Sequence, residues 1–262
     1  MPELVYPPVI AAVKTMFRVL DLRLTVEGGQ HVPRTGGAVM ASNHVSYLDF
    51  IFCGLGAQPS GRLVRFMAKQ EVFANRYAGP LMRGMRHIPV NREAGAGSYE
   101  AAVGALKRGE VVGVFPEATI SRSFTVKQLK SGTARMAQEA GVPILPVAVW
   151  GTQRLWTKGR PRQLNRRHTP ITILVGEPIH PDDHPYSAGL MRELKSRIEA
   201  LVDRAQREYP DRPADPTDGW WQPAHLGGTA PTPEEAAVLD GRRPSRTPVS
   251  YTHLTLPTIL RV

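Results

Sequence analysis

Ser42-Asn43-His44-Val45-Ser46-Tyr47-Leu48-Asp49-Phe50 is the stretch that decides how the chain is read. An apolar run, Gly37-Ala38-Val39-Met40-Ala41, precedes it and reads as a buried strand. Phe50-Ile51-Phe52-Cys53-Gly54-Leu55 follows it and reads as the start of a packed helix. His44 therefore falls where a strand hands over to a helix. In α/β sheets that place lies beyond the carboxyl ends of the strands, where ligands bind. Along an ideal helix the step from His44 to Asp49 is about 500° of rotation, so the two meet only if His44 lies in the turn ahead of the helix and Asp49 in its first turn. Ser46 suits that arrangement as an N-cap, with Asp49 three residues on. A carboxylate beside an imidazole fixes which ring nitrogen carries the proton and leaves the other free to take one from a hydroxyl. The same residues also read as an ordinary capping pair beside a turn histidine, and the rest of the chain has to choose.

The chain has 262 residues, 42% hydrophobic and 21% charged, which fits a soluble globular class built as one large α/β domain or two small ones. Its 33 basic and 23 acidic residues leave a formal charge of +10. That excess implies an anionic partner: a phosphorylated substrate, an anionic membrane surface or nucleic acid. The single cysteine, Cys53, sits in an apolar run and reads as core. No run approaches the roughly 18 apolar residues of a membrane span, and no signal-peptide pattern opens the chain, so a cytoplasmic location is expected. There is no paired-cysteine metal site, no glycine-rich phosphate loop and no Gly-x-Ser-x-Gly, which argues against an α/β-hydrolase. No metal is expected.

Residues 8–20 space Val9, Ile10, Val13, Met16, Phe17 and Leu20 as an amphipathic helix with Lys14 and Arg18 between them. Such a helix docks on its own core or lies in a lipid interface. Strands are expected at 22–26, 37–41, 62–69, around 88–90, at 111–115, 142–150 and 171–175, and helices after Ser46, at 98–108, through Met136 and at 187–207. From Arg62 to Arg92 there are seven Lys/Arg and one acid, Glu71, interleaved with apolar residues. That suits a lipid headgroup with acyl chain beside it, or a solvated face over a normal core. Residues 154–167 hold six basic residues and no acid, a loop near an anionic surface or a solvated one. From Pro210 the character changes: nine of the 24 prolines fall in 210–262, a composition expected to form a low-order tail. Its end, 249–262, resembles a peptide produced when sequencing-adapter DNA is read as coding sequence, and no function is expected there.

Four elements at strand ends follow in order: Asn43-His44-x-Ser46-x-x-Asp49, Gly84 to Arg92, Phe115-Pro116-Glu117-x-Thr119, and Val142-Pro143-Ile144-Leu145-Pro146-Val147. This set, over about residues 35–180, resembles the glycerophospholipid acyltransferase family, and most closely its 1-acylglycerol-3-phosphate acyltransferases. The resemblance implies a single αβ acyltransferase domain, 22–209, with a mostly parallel central sheet flanked by helices. An N-terminal amphipathic helix (1–21) precedes it and the low-order tail (210–262) follows. It implies transfer of an acyl group from acyl-CoA or acyl-ACP, as co-substrate rather than cofactor, to the free hydroxyl of a lysophospholipid acceptor. It also implies a peripheral position on the inner face of the cell membrane. Carried over by position, His44 is the general base and Asp49 its orienting partner. Asn43, Ser46, Lys69, Arg92, Glu117, Thr119, Arg122 and Lys130 fall on substrate-binding positions.

One departure stands out. The third element usually reads Phe-Pro-Glu-Gly-Thr-Arg-Ser in this family; here Ala118 replaces the glycine and Ile120 the arginine. Isoleucine cannot bind a phosphate, so Arg122 or Arg92 is expected to reach the same place, or the acceptor is another lysophospholipid or a glycolipid. A basic nucleic-acid-binding protein is the alternative from another class. The cations border apolar strands, and no helix-turn-helix, zinc or aromatic RNA-binding signature accompanies them, so no nucleic acid is expected.

Overall fold

The computed structural model describes residues 3–91 and 95–241. In chain order its elements are α1 (Tyr6–Val19), β1 (Arg23–Glu27), β2 (Ala38–Ser42), α2 (Asp49–Gly56), β3 (Val64–Lys69), α3 (Gln70–Ala74), α4 (Ala78–Gly84), β4 (Ile88–Val90), α5 (Gly95–Lys107), β5 (Val111–Val114), α6 (Gly132–Ala140), β6 (Ile144–Trp150), β7 (Pro170–Val175), α7 (Ser187–Arg207) and α8 (Pro233–Leu239). The strands form one seven-stranded sheet in the order β1-β7-β6-β2-β5-β3-β4. Strands β6, β2, β5, β3 and β4 run parallel; β7 pairs antiparallel with β6 and parallel with β1, so the last two strands run the other way. The fold is the mostly parallel α/β sheet that the family resemblance implied.

Every residue of β2, β5 and β6 is buried, which is why these runs are continuously apolar rather than alternating. Alternate side chains serve opposite faces. Val39, Ala41, Val112 and Val114 pack with residues of α5, α6 and α7, whereas Ala38, Met40 and Val111 pack with Phe17 of α1 and Phe52 and Cys53 of α2. Gly113 in β5 is fixed by packing: a Cβ there would stand 2.3 Å from the Phe66 ring. The chain leaves β2 toward α2 on one face and β5 toward α6 on the other. The crevice beyond the carboxyl ends of these neighbouring strands is the switch point where such sheets bind ligands.

Several expectations change. Helices α3 and α4 occupy 70–84, where the sequence reading placed only a basic and apolar surface. Two cations of the basic stretch that begins at Arg62 are structural. Arg65 is buried, donating to Glu110 at 2.7 Å and to the Met85 carbonyl at 2.9 Å, and pairing with Glu3. Arg62 ties down the carbonyls of Pro33 and Gly109. The expected low-order tail does not describe 210–241. Asp215 caps a short 3-10 turn, Thr232 and Glu235 form a capping box on α8, and Trp221 is 2% exposed. The Trp221 ring lies 5.5 Å from the Tyr209 ring and 4.5 Å from the Arg154 guanidinium. A composition averaged over the segment misses this because one indole carries most of the burial. Residues 242–262, including the adapter-like end, lie outside the described residues. No helix among the described residues is long and apolar enough to cross a membrane.

Candidate active site

His44 stands two residues beyond β2, and Asp49 opens α2. The His44 Nδ1 lies 3.0 Å from Asp49 Oδ2. That same oxygen accepts the backbone N–H groups of Val45 and Ser46, each at 2.7 Å, while Oδ1 accepts the Thr152 hydroxyl at 2.6 Å. Asp49 is wholly buried, so these four donors meet a carboxylate that water does not reach. A proton on Nδ1 serves this contact and leaves Nε2 as the ring's acceptor. The imidazole stacks on Phe115, centroids 4.3 Å apart, and lines a cavity of about 680 Å³.

Ser46 does not cap the helix as the sequence suggested. Helix α2 begins at Asp49 with Leu48 as its N-cap. The Ser46 hydroxyl donates to the Trp156 carbonyl at 2.7 Å and accepts the Leu48 N–H at 3.1 Å. The N–H groups of Val45 and Ser46 are both committed to Asp49. What the turn achieves is different: folding back on Asp49 brings the carboxylate under the imidazole and explains the spacing of the two residues.

Two loops hold this turn from either side. The loop after β5 brackets the His44 main chain: Glu117 Oε1 accepts its N–H at 2.8 Å, and its carbonyl accepts the Ser121 N–H at 2.7 Å. The loop after β6 supplies Thr152 to Asp49 and the Thr157 hydroxyl to the Val45 carbonyl at 2.6 Å. Asn43 adds a third tie, exchanging two bonds with the Val149 backbone at 3.1 and 2.8 Å.

Six of the eight residues carried over as substrate-binding thus fall into two groups. Lys69, Thr119 and Lys130 line the cavity with His44. Asn43, Ser46 and Glu117 are buried and engaged with the protein itself. Glu117 is 2% exposed, and its second oxygen accepts the Lys127 N–H at 3.0 Å. Burial pushes its carboxyl up to about 7, against the pull of the two N–H bonds and of the Lys127 charge. Arg122 points to Asp240 at 3.0 Å. Arg92 lies outside the described residues. Ala118 adopts φ 61°, the left-handed conformation that a glycine enters freely, so the turn still demands the residue the family usually has. Ile120 is 5% exposed and lines the cavity. The Lys127 ammonium bridges its carbonyl at 3.1 Å and the Thr119 hydroxyl at 2.5 Å.

The rest of the cavity is largely apolar, with Phe50, Phe66, Met67, Val72, Met82 and Met136 in its wall. A base lining a largely apolar cavity, with Lys69, Lys130 and Lys158 also at the wall, suits an anionic head carrying an aliphatic chain. Thr152 and Lys158 were not recognised from the sequence. Thr152 lies 103 residues from the carboxylate it holds, and no local pattern marks a threonine as a partner. Lys158 was one of six cations in a loop without further distinction.

Comparisons with known proteins bear on the family of the chain. A family model described as Acyltransferase matches residues 23–150. The chain is 31% identical over 192 residues to the 1-acyl-sn-glycerol-3-phosphate acyltransferase of Bacillus subtilis, which covers 71% of this chain and 89% of that protein. It is 28% identical over 185 residues to the chloroplastic counterpart of Arabidopsis thaliana, covering 69% of this chain and 49% of that protein, so it spans about half the length of that relative. The crystal structure of the 1-acyl-sn-glycerophosphate (LPA) acyltransferase PlsC of Thermotoga maritima superposes with a TM-score of 0.61 over 78% of this chain and 82% of that one. At 23% identity that likeness speaks for the fold.

Proposed function

This chain belongs to the glycerophospholipid acyltransferase family, and we propose from that premise that it acylates the free hydroxyl of a 1-acylglycerol 3-phosphate, giving phosphatidic acid for phospholipid biosynthesis. It is an O-acyltransferase, and its donor is an acyl thioester of coenzyme A or acyl carrier protein. One observation carries the reading: an imidazole held at Nδ1 by a buried carboxylate, lining a largely apolar cavity together with lysines. His44 Nε2 takes the proton of the acceptor hydroxyl as its oxygen attacks the thioester carbonyl. Asp49 stabilises the imidazolium formed, a C–O bond forms, the C–S bond breaks, and the proton passes to the departing sulfur to give the free thiol. No enzyme nucleophile is needed, because the acceptor supplies one.

The protein acts on lipid from the inner face of the cell membrane. Val72, Tyr77 and Leu81 are exposed apolar residues interspersed with Lys69, Arg76 and Arg83 along 69–83, and Val72 also lines the cavity. Apolar side chains with cations beside them suit an anionic bilayer surface. Ile120, standing where the family has an arginine, favours a second reading in which another lysolipid or a glycolipid is the acceptor. Both are tested by a membrane-fraction assay with one labelled acyl-CoA and a panel of acceptors. Preferential acylation of 1-acylglycerol 3-phosphate, abolished by His44→Ala, is the expected result. Preferential acylation of a neutral acceptor overturns the substrate, and near-normal turnover by His44→Ala overturns the mechanism.

A further inference from the structure

The loop after β6 is held from two sides. On one side it meets the catalytic turn. Thr152 bonds Asp49, the Trp156 carbonyl accepts the Ser46 hydroxyl at 2.7 Å and the Tyr47 N–H at 3.2 Å, and the Thr157 hydroxyl reaches the Val45 carbonyl. On the other side it meets the segment that follows α7. Gln153 Nε2 donates to the Trp221 carbonyl at 3.2 Å, while its Oε1 accepts the Gly151 N–H at 2.9 Å. The Arg154 guanidinium lies 4.5 Å from the centre of the Trp221 ring, donates to the Tyr209 hydroxyl at 3.2 Å and pairs with Asp211. That hydroxyl in turn donates to the Pro170 carbonyl, at the start of β7, at 2.8 Å. Gln153, Arg154, Tyr209 and Trp221 are each 5% exposed or less. A buried guanidinium has little freedom, because its charge must stay with the carboxylate and ring face that answer it. Thr152, Gln153 and Arg154 make a single 3-10 turn, so fixing the last two fixes the first. The family model ends at residue 150, and both the loop and the segment that braces it lie beyond its match.

We propose that the segment from Tyr209 to Trp221 is a positioning element of the active site: Trp221, through Gln153 and Arg154, sets the loop after β6 against the catalytic turn and so holds the Thr152 hydroxyl on Asp49. The inference rests on the acyltransferase reading above. Trp221, Gln153 and Arg154 act through Thr152 and Asp49, and are positioning residues rather than catalytic ones. An indole that served only the core would stabilise the fold and leave the chemistry alone. Here its ring and its carbonyl both bear on the two residues that follow Thr152. A displacement of about 1 Å at a catalytic group costs up to roughly a hundredfold in rate. The Trp156 and Thr157 contacts still tie the loop to the turn when the brace is weakened, so the slip is smaller and a loss of about fivefold is expected.

The test uses the full chain. Steady-state kinetics with 1-acylglycerol 3-phosphate and acyl-CoA are measured for wild type, Trp221→Leu, Trp221→Phe, Arg154→Lys, Thr152→Val and the double variant Trp221→Leu/Thr152→Val. Backbone hydrogen exchange is followed in parallel without substrate, so it judges the brace even if acyl transfer is not the reaction. Trp221→Leu is expected to lower kcat about fivefold with both KM values within about twofold, and Trp221→Phe, which keeps a ring on the guanidinium, to restore most of it. In the Thr152→Val background the same substitution is expected to cost about twofold or less, because the two changes break one path. Exchange of the amides of 43–49, which include the two N–H groups held by Asp49, is expected to quicken about tenfold in Trp221→Leu, with those of β5 unmoved. A loss that multiplies in full in the double variant, or exchange that quickens in β5 as much as at 43–49, would make Trp221 an ordinary core residue and overturn the proposal. So would unchanged kcat together with unchanged exchange. Should Trp221→Leu fail to fold, Arg154→Lys decides alone: it keeps the charge but loses the planar stack, and kcat and exchange like those of wild type there reject the brace.

Discussion

Asp49 Oδ2 reaches His44 Nδ1 at 3.0 Å while holding the N–H groups of Val45 and Ser46, so one oxygen both orients the imidazole and folds the turn that carries it. Asparagine cannot replace it. An amide has one acceptor oxygen, and its NH2 would face donors. Asp49→Asn is expected to lower kcat by about a thousandfold or more and to lose stability by about 1–3 kcal/mol through unsatisfied buried donors. His44→Ala is expected to abolish turnover with a far smaller change in stability, because His44 is partly exposed and no ladder depends on its ring. Steady-state kinetics and urea unfolding of both variants check the contrast; equal destabilisation would contradict it.

Thr152 acts through Asp49. Thr152→Val leaves a buried carboxylate oxygen without its donor, 2.6 Å away in the wild type. The expected result is a kcat about tenfold lower, with the KM for the acceptor little changed, and recovery in Thr152→Ser. A serine variant as impaired as the valine one would show that a hydroxyl without the methyl beside it does not restore the contact, against a role for the hydrogen bond alone.

Ala118 stores strain. Its φ of 61° costs an L-residue roughly 1 kcal/mol that glycine escapes, so Ala118→Gly is expected to raise stability by about that amount, or about 2–4 °C in Tm. A lower Tm would mean that the alanine methyl contributes packing worth more than the strain.

Glu117 and His87 set opposing pH dependences. Burial raises Glu117 to about 7, so between its ordinary value of 4.5 and 7 the folded chain holds a proton the unfolded chain has released, and stability falls as pH rises. Burial, with the Arg65 charge, lowers His87 from 6.5 to about 4. There the unfolded chain takes the proton first, and stability falls as pH drops through that window. The two slopes are similar in size and overlap, so the wild-type profile from pH 4.5 to 6.5 is expected to be nearly flat. Glu117→Gln is expected to lose stability toward acid, and His87→Leu to lose it toward neutrality. Denaturant unfolding of all three proteins across this range checks both signs.

Much of this was legible beforehand, for reasons that particular residues make plain. Val111 to Val114 and Ile144 to Trp150 are strands buried on both faces, and nothing but an unbroken apolar run satisfies that environment. The pairing of His44 with Asp49 was readable because both lie in one turn. The segment 70–84 concealed its helices, since α3 has five residues and α4 seven, too few for a helical period to declare itself. Ser46 misled because a serine three residues ahead of an acid fits a capping pattern, whereas here the acid serves the turn in front of it. The contacts of Asp49 with Thr152 and of Arg122 with Asp240 span 103 and 118 residues, a separation at which only the assembled sheet reveals partners.

Helix α1 is pinned at both ends. The Tyr6 hydroxyl donates to the Val64 carbonyl at the head of β3 at 2.8 Å, and Phe17 stacks on Phe52 of α2 at 4.8 Å. A rod fastened at two points cannot swing independently of the body it is bolted to. If α1 sinks into a leaflet, the whole domain pitches with it like a hull on its keel. Immersion depth and the aim of the cavity are then one mechanical coordinate rather than two.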